Sequence, residues 1–262
     1  MTTAYKAPPH SIDRLQRPFG GLYYEVTGSG PALIFAHGLG GNHLSWWQQV
    51  PGFSRRYRCI TFDHRGFGNS IDVPNGPGQE AFVEDLKGLL DNLGIERAHL
   101  VAQSMGGRSC LGFALAHPKR VDKLVLADTT CGVSEPSLLK AIADSGAPPT
   151  DLIERVLGPT FRRTQPELSF LYRQIEGLNR IGNPVPELVA NGPEAPELQT
   201  LVASTLLIVG TEDTIAKPHV VERFASMLPN ARVAIIEDCG HSAYFEKPLQ
   251  FNRIVHEFLA TF

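Results

Sequence analysis

The stretch Ala102-Gln103-Ser104-Met105-Gly106-Gly107 decides the fold that this sequence predicts. A short, mostly apolar run at 98–103 leads into it, and a helix-like segment at 108–117 follows. Ser104 therefore falls at a sharp turn from strand to helix, where the hydroxyl projects from the carboxyl edge of a sheet. Small residues two places before and after are needed because the two backbones come close together, and both positions are small here. A small-residue turn with an incidental serine is the alternative, which only the rest of the chain can decide.

Strand-like and helix-like segments alternate on both sides of this turn. Apolar runs predict strands at 21–26, 32–36, 58–62, 98–103, 123–127, 205–209 and 232–236, with at most one edge strand in 1–17. Apolar residues at helical spacing predict helices at 79–93, 218–227 and 248–262. This alternation is typical of a mainly parallel sheet covered by helices, in which functional residues collect at the carboxyl ends of the strands.

Residues 132–197 break this rhythm. Prolines and glycines separate short helical pieces, and we find no strand pattern among them; the pieces are 137–143, 151–157, 166–179 and 187–190. In the third piece one stripe is apolar, formed by Leu168, Leu171, Ile175 and Leu178. The segment therefore reads as a helical insertion.

The strand ends bring together the groups that a serine nucleophile needs. A serine hydroxyl is a weak nucleophile unless a base takes its proton and a third group orients the base. His241 can be the base and Asp213 the orienting carboxylate, in the chain order Ser, Asp, His. The backbone N–H groups of Leu39 and Met105 can bind the oxyanion of a tetrahedral intermediate.

With these pieces in place, the sequence resembles the α/β-hydrolase superfamily from about residue 21 to residue 262. The resemblance rests on five motifs in the family's order: His37-Gly38-Leu39-Gly40, residues 63–70, Ser104-Met105-Gly106-Gly107, Gly210-Thr211-Glu212-Asp213 and Gly240-His241. It implies an α/β fold with an eight-stranded, mostly parallel sheet whose second strand is antiparallel, and a cap inserted after the sixth strand. The expected catalytic domain comprises 1–131 and 198–262, and the expected cap 132–197.

One departure from the family stands at the turn, where Gly-x-Ser-x-Gly is usual, often with His before Ser. Ala102 and Gln103 occupy those places here, and the sequence assigns Gln103 no role. For the orienting acid, Glu212 and Asp128 are rivals to Asp213, since some members of the superfamily keep the acid at the end of the sixth strand. His37 is expected to shape the oxyanion loop rather than carry a proton.

The resemblance favours a cofactor-free serine hydrolase that cleaves an ester or lactone of a small, fairly apolar acid. Serine at the turn argues against the family's dehalogenases and epoxide hydrolases, which place aspartate there. C–C bond hydrolases, amidases, perhydrolases and slow-turnover ligand receptors of the same fold stay open. Four aromatic residues are candidates to line the substrate pocket, or else ordinary core: Trp47, Phe161, Phe170 and Tyr172.

The composition of the chain limits which partners, cofactors and cellular locations are expected. A net charge of -3 over 262 residues, with no basic run, argues against nucleic acid or an anionic membrane as partner. No signal peptide or membrane span is seen, so a cytoplasmic location is expected. Four scattered cysteines lack metal-ligand spacing and are expected to be reduced. We therefore expect no cofactor, no metal, a small-molecule substrate, and a monomer or homodimer.

Overall fold

The computed structural model describes residues 8–17, 20–73, 75–179 and 191–261. Within these ranges one sheet of eight strands forms the centre of the protein. The strands are β1 (His10–Arg17), β2 (Gly20–Thr27), β3 (Ala32–Ala36), β4 (Arg58–Phe62), β5 (Ala98–Gln103), β6 (Val121–Ala127), β7 (Ser204–Gly210) and β8 (Ala231–Ile236).

Helices connect most of these strands. In the described ranges the α-helices are α1 (Val50–Phe53), α2 (Phe82–Asn92), α3 (Gly106–Ala116), α4 (Pro136–Asp144), α5 (Leu152–Val156), α6 (Pro159–Thr164), α7 (Pro166–Glu176), α8 (Ala195–Leu198), α9 (Pro218–Ala225), α10 (Ala243–Glu246) and α11 (Pro248–Ala260). Short 3₁₀ turns add His43–Trp46, Gly78–Ala81 and Pro118–Arg120.

The sheet has the order β1-β2-β4-β3-β5-β6-β7-β8. β2 runs antiparallel to both of its neighbours, and all pairs from β4 to β8 are parallel. The expected eight-stranded, mostly parallel sheet with an antiparallel second strand is thus confirmed. Because β3, β5, β6 and β7 are parallel neighbours, their carboxyl ends meet at one edge, where Ala36 pairs with Ala102 and Gln103 with Ala127.

Apolar runs form the central strands because both faces of the sheet are covered. All five residues of β3 are buried, and alternate residues point to opposite cores. Ile34 and Ala36 join a core with α2, α3 and α9, whereas Leu33 and Phe35 join a second core with Trp46 and α11. Such continuous burial is the reason that the sequence predicted these strands to within two residues at each end.

Helices α4 to α8 lie between β6 and β7 in the chain, and no strand occurs there in the residues described. Three predicted helical pieces correspond to α4, α5 and α7, and the fourth, 187–190, lies outside the described residues. Several side chains of this segment enter the second core, among them Ile153, Val156 and Phe161. The division into a catalytic domain and a cap at 132–197 stays a prediction.

The apolar stripe predicted for α7 is only partly internal. Ile175 is buried and Leu168 packs against the second core. Leu171 and Leu178 are exposed, at 36% and 58%. The helical spacing thus located one packing face, but Leu171 and Leu178 lie outside that face.

In the described ranges no helix is both long and apolar enough to cross a membrane.

The close packing of α3 on the sheet depends on Gly106. A Cβ at this position would overlap the carbonyl oxygen of Ala36 at the end of β3. We expect Gly106→Ala to lower the free energy of unfolding by about 1–3 kcal/mol, because backbone atoms must shift to make room. Urea unfolding measures the change.

Gly52 in α1 offers a matched control, since a Cβ there would meet nothing within 4 Å. Gly52→Ala should leave the free energy of unfolding within about 0.5 kcal/mol of the parent or raise it slightly. Equal destabilisation by the two substitutions would contradict a steric role for Gly106.

Candidate active site

Ser104 sits on a sharp turn between β5 and α3. Its φ of 49° places it in the left-handed region, which a non-glycine residue adopts only under constraint. Two hydrogen bonds hold this conformation: the Ser104 N–H donates to the Ala127 carbonyl at 2.9 Å, and the Thr129 hydroxyl donates to the Ser104 carbonyl at 2.8 Å. The turn directs the serine hydroxyl to the carboxyl edge of the sheet.

Of the three residues predicted to form a triad, His241 lies within hydrogen-bond distance of both Ser104 and Asp213. His241 Nε2 is 2.9 Å from Ser104 Oγ, and His241 Nδ1 is 2.8 Å from Asp213 Oδ2. A carboxylate only accepts, so Nδ1 carries the proton and Nε2 is free to accept from the serine hydroxyl. The backbone N–H groups of Ile215 and Ala216 donate to Asp213 Oδ1 and fix the carboxylate.

The pKa of His241 reflects two opposing effects. Burial lowers it, but the charge of Asp213 and the hydrogen bond to it outweigh burial, so the pKa lies above the usual 6.5. A raised pKa makes the imidazole a stronger base toward the serine proton. The arrangement is therefore suited to proton transfer from Ser104 Oγ to His241 Nε2.

The two rival acids hold other positions. Asp128 is buried at the end of β6, where its carboxylate accepts from the N–H groups of Gly210 and Ala243. Burial, and after it the charge of Asp213, raises the pKa of Asp128 well above its usual range. Glu212 instead accepts from the backbone N–H and hydroxyl of Thr160, in the segment between β6 and β7. Of the three acids, Asp213 is the one whose carboxylate is hydrogen-bonded to His241 in the described residues.

The predicted oxyanion donors flank the serine. Leu39 lines the same cavity as Ser104 and packs against the small cluster that contains Met105. In the described ranges neither backbone N–H, that of Leu39 or that of Met105, donates to another residue. Buried His37 supports this loop, since its Nδ1–H donates to the Gly38 carbonyl and its Nε2 accepts from the His64 N–H. Burial lowers the pKa of His37 to about 4, which suits this neutral, structural role.

The segment after β6 also contacts the loop that carries Leu39. The side-chain amide of Asn179 donates to the Gly40 carbonyl at 2.6 Å, and its oxygen accepts from the Gly68 N–H at 2.8 Å. Asn42 donates to the Ile175 carbonyl at 2.8 Å. These contacts tie the end of α7 to the loop that carries Leu39.

A cavity of about 210 Å³ opens beside Ser104 and His241. Its other walls are mostly apolar and come from the loop after β3, from around α5 and from the loop after β7: Leu39, Pro148, Leu152, Val156 and Ile215, with Gln103, Arg155 and Tyr172. In the described ranges no group of three or more His, Cys, Asp or Glu side chains is placed to hold a metal ion.

The structure corrects most of the predicted pocket. Tyr172 lines the cavity, but the other three aromatic residues do not. Phe170 is 64% exposed on the outer side of α7, and Trp47 is 41% exposed. Phe161 is buried in the second core, where its ring meets Phe245 edge-on at 6.0 Å. Helical spacing could not show which side of α7 faces the cavity.

Comparison with known proteins identifies the family to which this chain belongs. The sequence profile of the alpha/beta hydrolase fold matches residues 31–248. The chain belongs to the α/β-hydrolase family. It is therefore a hydrolase, and the resemblance seen in its motifs is confirmed.

Individual relatives of this α/β-hydrolase differ in their reactions. It is 33% identical over 264 residues to the 2-hydroxy-6-oxononadienedioate/2-hydroxy-6-oxononatrienedioate hydrolase of Burkholderia vietnamiensis, covering 91% of this chain and 90% of that protein. A thermophilic esterase of Thermogutta terrifontis is 26% identical, with a TM-score of 0.79 over 95% of this chain and 98% of the other. The enol-lactonase of Burkholderia xenovorans shares the fold, with a TM-score of 0.78 at 24% identity over 95% of this chain and 100% of the other.

Gln103, to which the sequence assigned no role, links two loops of the hydrolase. Its Nε2 donates to the His241 carbonyl at 2.7 Å. Its Oε1 lies so close to Gly38 that a Cβ there would overlap it. Gln103 thus lies between the loop that carries His241 and the loop that carries Gly38 and Leu39. In the sequence, the one signal of this role was that Gln103 stands where the family usually has another residue before the serine.

A buried carboxylate that sequence reasoning missed holds the loop of His241 on its other side. Glu246 in α10 accepts from the N–H groups of Gly240 and Ser242, at 2.9 and 3.2 Å, and from that of Gly158 at 3.1 Å. Gly158 precedes α6, and a Cβ on either glycine would overlap the other's backbone. Glu246 therefore joins the segment between β6 and β7 to the residues on both sides of His241.

Exchange of the acid tests the triad geometry. We expect Asp213→Asn to lower kcat by about 10³- to 10⁴-fold, because the amide stabilises the wrong imidazole tautomer. Asp128→Asn is the matched control and should stay within about tenfold of the parent, since Asp128 accepts from backbone N–H groups. Steady-state rates on an activated ester measure both. A crippled Asp128→Asn beside a near-normal Asp213→Asn would assign the role to Asp128.

The titration of Glu246 should appear in the stability of the protein. Burial raises its pKa from 4.5 to about 7, although three backbone N–H groups lower it in part. Between these values the unfolded chain loses the proton and the folded chain keeps it, so stability falls as pH rises through this window. Relative to Glu246→Gln, the parent should lose about 3 kcal/mol of unfolding free energy between pH ~4.5 and ~7.

Urea unfolding at a series of pH values measures this difference. Glu222→Gln, the same change on the exposed face of α9, is the control. If the free-energy difference between the parent and Glu246→Gln does not vary with pH, Glu246 has no raised pKa in the folded protein.

Proposed function

We propose that this α/β-hydrolase cleaves carboxylic esters or lactones of small, largely apolar acids through an acyl-enzyme intermediate. The observation that carries the proposal is the continuous hydrogen-bonded path from Ser104 Oγ through His241 to Asp213, with distances of 2.9 and 2.8 Å. A serine, a base and an orienting carboxylate in this order are the groups that acyl transfer requires.

The chemistry follows from the positions of the groups. Ser104 Oγ attacks the carbonyl carbon while His241 Nε2 takes its proton, and the N–H groups of Leu39 and Met105 bind the oxyanion. The imidazolium then protonates the leaving alkoxide, which departs as the alcohol and leaves an acyl group on Ser104. Water, deprotonated by His241, attacks this acyl group and releases the acid. Asp213 stabilises the imidazolium in both halves of the reaction.

The apolar walls of the cavity favour apolar acyl groups. Leu152, Val156 and Ile215 line the space beside Ser104. Each methylene buried there contributes up to ~0.8 kcal/mol of transfer free energy, or about fourfold in kcat/KM. With a volume of about 210 Å³, the cavity suits a short to medium acyl chain.

Hydrolysis of a C–C bond is the second candidate. The observation that favours it is the 33% identity to a hydrolase of 2-hydroxy-6-oxononadienedioate. In that reaction water is added across a bond between a carbonyl carbon and the neighbouring carbon, so the leaving group is an enolate carbon that must take a proton. The same His241 can deliver it, and the triad geometry alone therefore does not choose between the two reactions.

A panel of substrates run beside Ser104→Ala tests the proposal. For p-nitrophenyl esters we expect kcat/KM to rise from acetyl to about hexanoyl by up to about fourfold per methylene, then to fall. Leu152→Ala should flatten this rise, whereas Phe170→Ala, at an exposed position, should leave it unchanged. Ser104→Ala should abolish turnover, and a phosphonate should label the Ser104 peptide in the parent only.

Full activity in Ser104→Ala would overturn the proposal. If the parent cleaves 2-hydroxy-6-oxononadienedioate far faster than any ester or lactone in the panel, the second candidate replaces the first. A profile highest at acetyl would mean that the cavity does not receive the acyl chain.

A further inference from the structure

Arg155 is the single permanent charge among the described residues that line the cavity beside Ser104. It lies on α5, whose neighbouring side chains on the cavity wall, Leu152 and Val156, are apolar. Neither the acyl-transfer steps nor the oxyanion contacts use an arginine. The charge therefore needs an explanation beyond the triad.

The backbone of Arg155 is held firmly in relation to the triad. The Asp151 carboxylate accepts from the Glu154 N–H and caps the start of α5, while Ile153 and Val156 are buried in the core. The Thr214 hydroxyl donates to the Arg155 carbonyl at 3.4 Å, and Thr214 directly follows Asp213. The backbone of Arg155 thus lies next to the loop that carries Asp213.

The guanidinium of Arg155 lacks a protein partner in the described part of the chain. Its Nε is buried and makes no hydrogen bond there, and no ion pair of Arg155 is found among the described residues. Arg65, by contrast, meets the carboxylate of Asp85 through Nε and Nη2 at 2.8 and 2.7 Å. A buried donor without an acceptor destabilises a protein, and a bound ligand that supplies the acceptor removes that penalty.

We propose that Arg155 binds a carboxylate of the substrate, so that the preferred substrate is an anionic ester or lactone rather than a neutral one. A carboxylate offers two coplanar oxygens that match the guanidinium fork. It carries one charge, which one arginine neutralises, whereas a phosphate dianion would leave a net charge in a mostly apolar cavity. This inference rests on the proposed function for its kinetic test only.

The kinetic test compares p-nitrophenyl monoadipate, which carries a free carboxylate, with neutral p-nitrophenyl hexanoate. The parent should prefer the anionic ester, and Arg155→Met should lower kcat/KM for it by about 10- to 100-fold, the range for a hydrogen bond to a charged group. The neutral ester should change by less than about threefold. Arg155→Lys should restore part of the preference, because it keeps the charge without the fork.

Arg162→Met is the matched control. Arg162 lies on the neighbouring α6, its Nε is also buried without a partner among the described residues, but its Nη1 pairs with Glu154 at 3.2 Å and it does not line the cavity. This variant should keep the preference for the anionic ester. An equal loss on both esters in Arg155→Met, or the absence of any preference in the parent, overturns the proposal.

A binding test separates this inference from the proposed function. In Ser104→Ala, calorimetry with monomethyl adipate and dimethyl adipate requires no turnover. Adding Arg155→Met should weaken binding of the monoanion by about 10- to 100-fold and leave the neutral diester unchanged. If the parent cleaves no ester but this difference in binding appears, the proposed reaction fails and the carboxylate site stands. If both ligands bind equally with and without Arg155, the carboxylate site fails.

Discussion

The left-handed backbone of Ser104 is the constraint on which the rest of the site depends. A non-glycine residue at φ 49° costs on the order of 1–3 kcal/mol and persists only where its surroundings hold it. Hydrogen bonds to Ala127 and from Thr129 supply that hold, and both partners lie at or beyond the end of β6. The parallel pairing of β5 with β6 therefore does more than build the sheet, because it fixes the direction in which the serine hydroxyl points.

Buried side chains extend the same control to the loop of His241. Gln103 binds the His241 carbonyl, Asp128 binds the Ala243 N–H, and Glu246 binds the N–H groups on both sides of the histidine. Each of the two carboxylates is buried at a cost, which backbone donors offset only in part, and their raised pKa values express the remainder. These buried carboxylates lower the stability of the folded protein but fix the position of the His241 imidazole. The segment after β6 takes part in the same network, because the Gly158 N–H also donates to Glu246.

The sequence predicted those features whose cause is local or periodic. The strands could be predicted because a strand buried on both faces is a continuous apolar run, and the three triad candidates because each lies in the turn or loop that follows such a run. The residues that line the pocket could not be predicted, because the lining depends on which face of each short helix points toward the cavity. Phe170 lies two residues from Tyr172 on α7, and a separation of two residues puts side chains on nearly opposite sides of a helix. Arg155 went unnoticed because an arginine near the end of a helix is ordinary until the cavity beside it is seen.

The choice of bond to cleave must arise outside the triad. Under the proposed mechanism, the same serine attacks the carbonyl carbon of an ester, of a lactone or beside a C–C bond, and in each case His241 would supply the proton that the leaving group takes. The reactions differ in where the substrate is held while that proton is transferred, since an alkoxide oxygen and an enolate carbon occupy different places. In this protein the cavity walls are mostly apolar, and apolar walls do not fix where along the cavity a substrate lies. A fixed charge such as that of Arg155 is therefore the feature best able to set the position of the substrate. A carboxylate held there would fix one end of the substrate, and the distance from that end to the carbonyl would decide which bond lies beside Ser104.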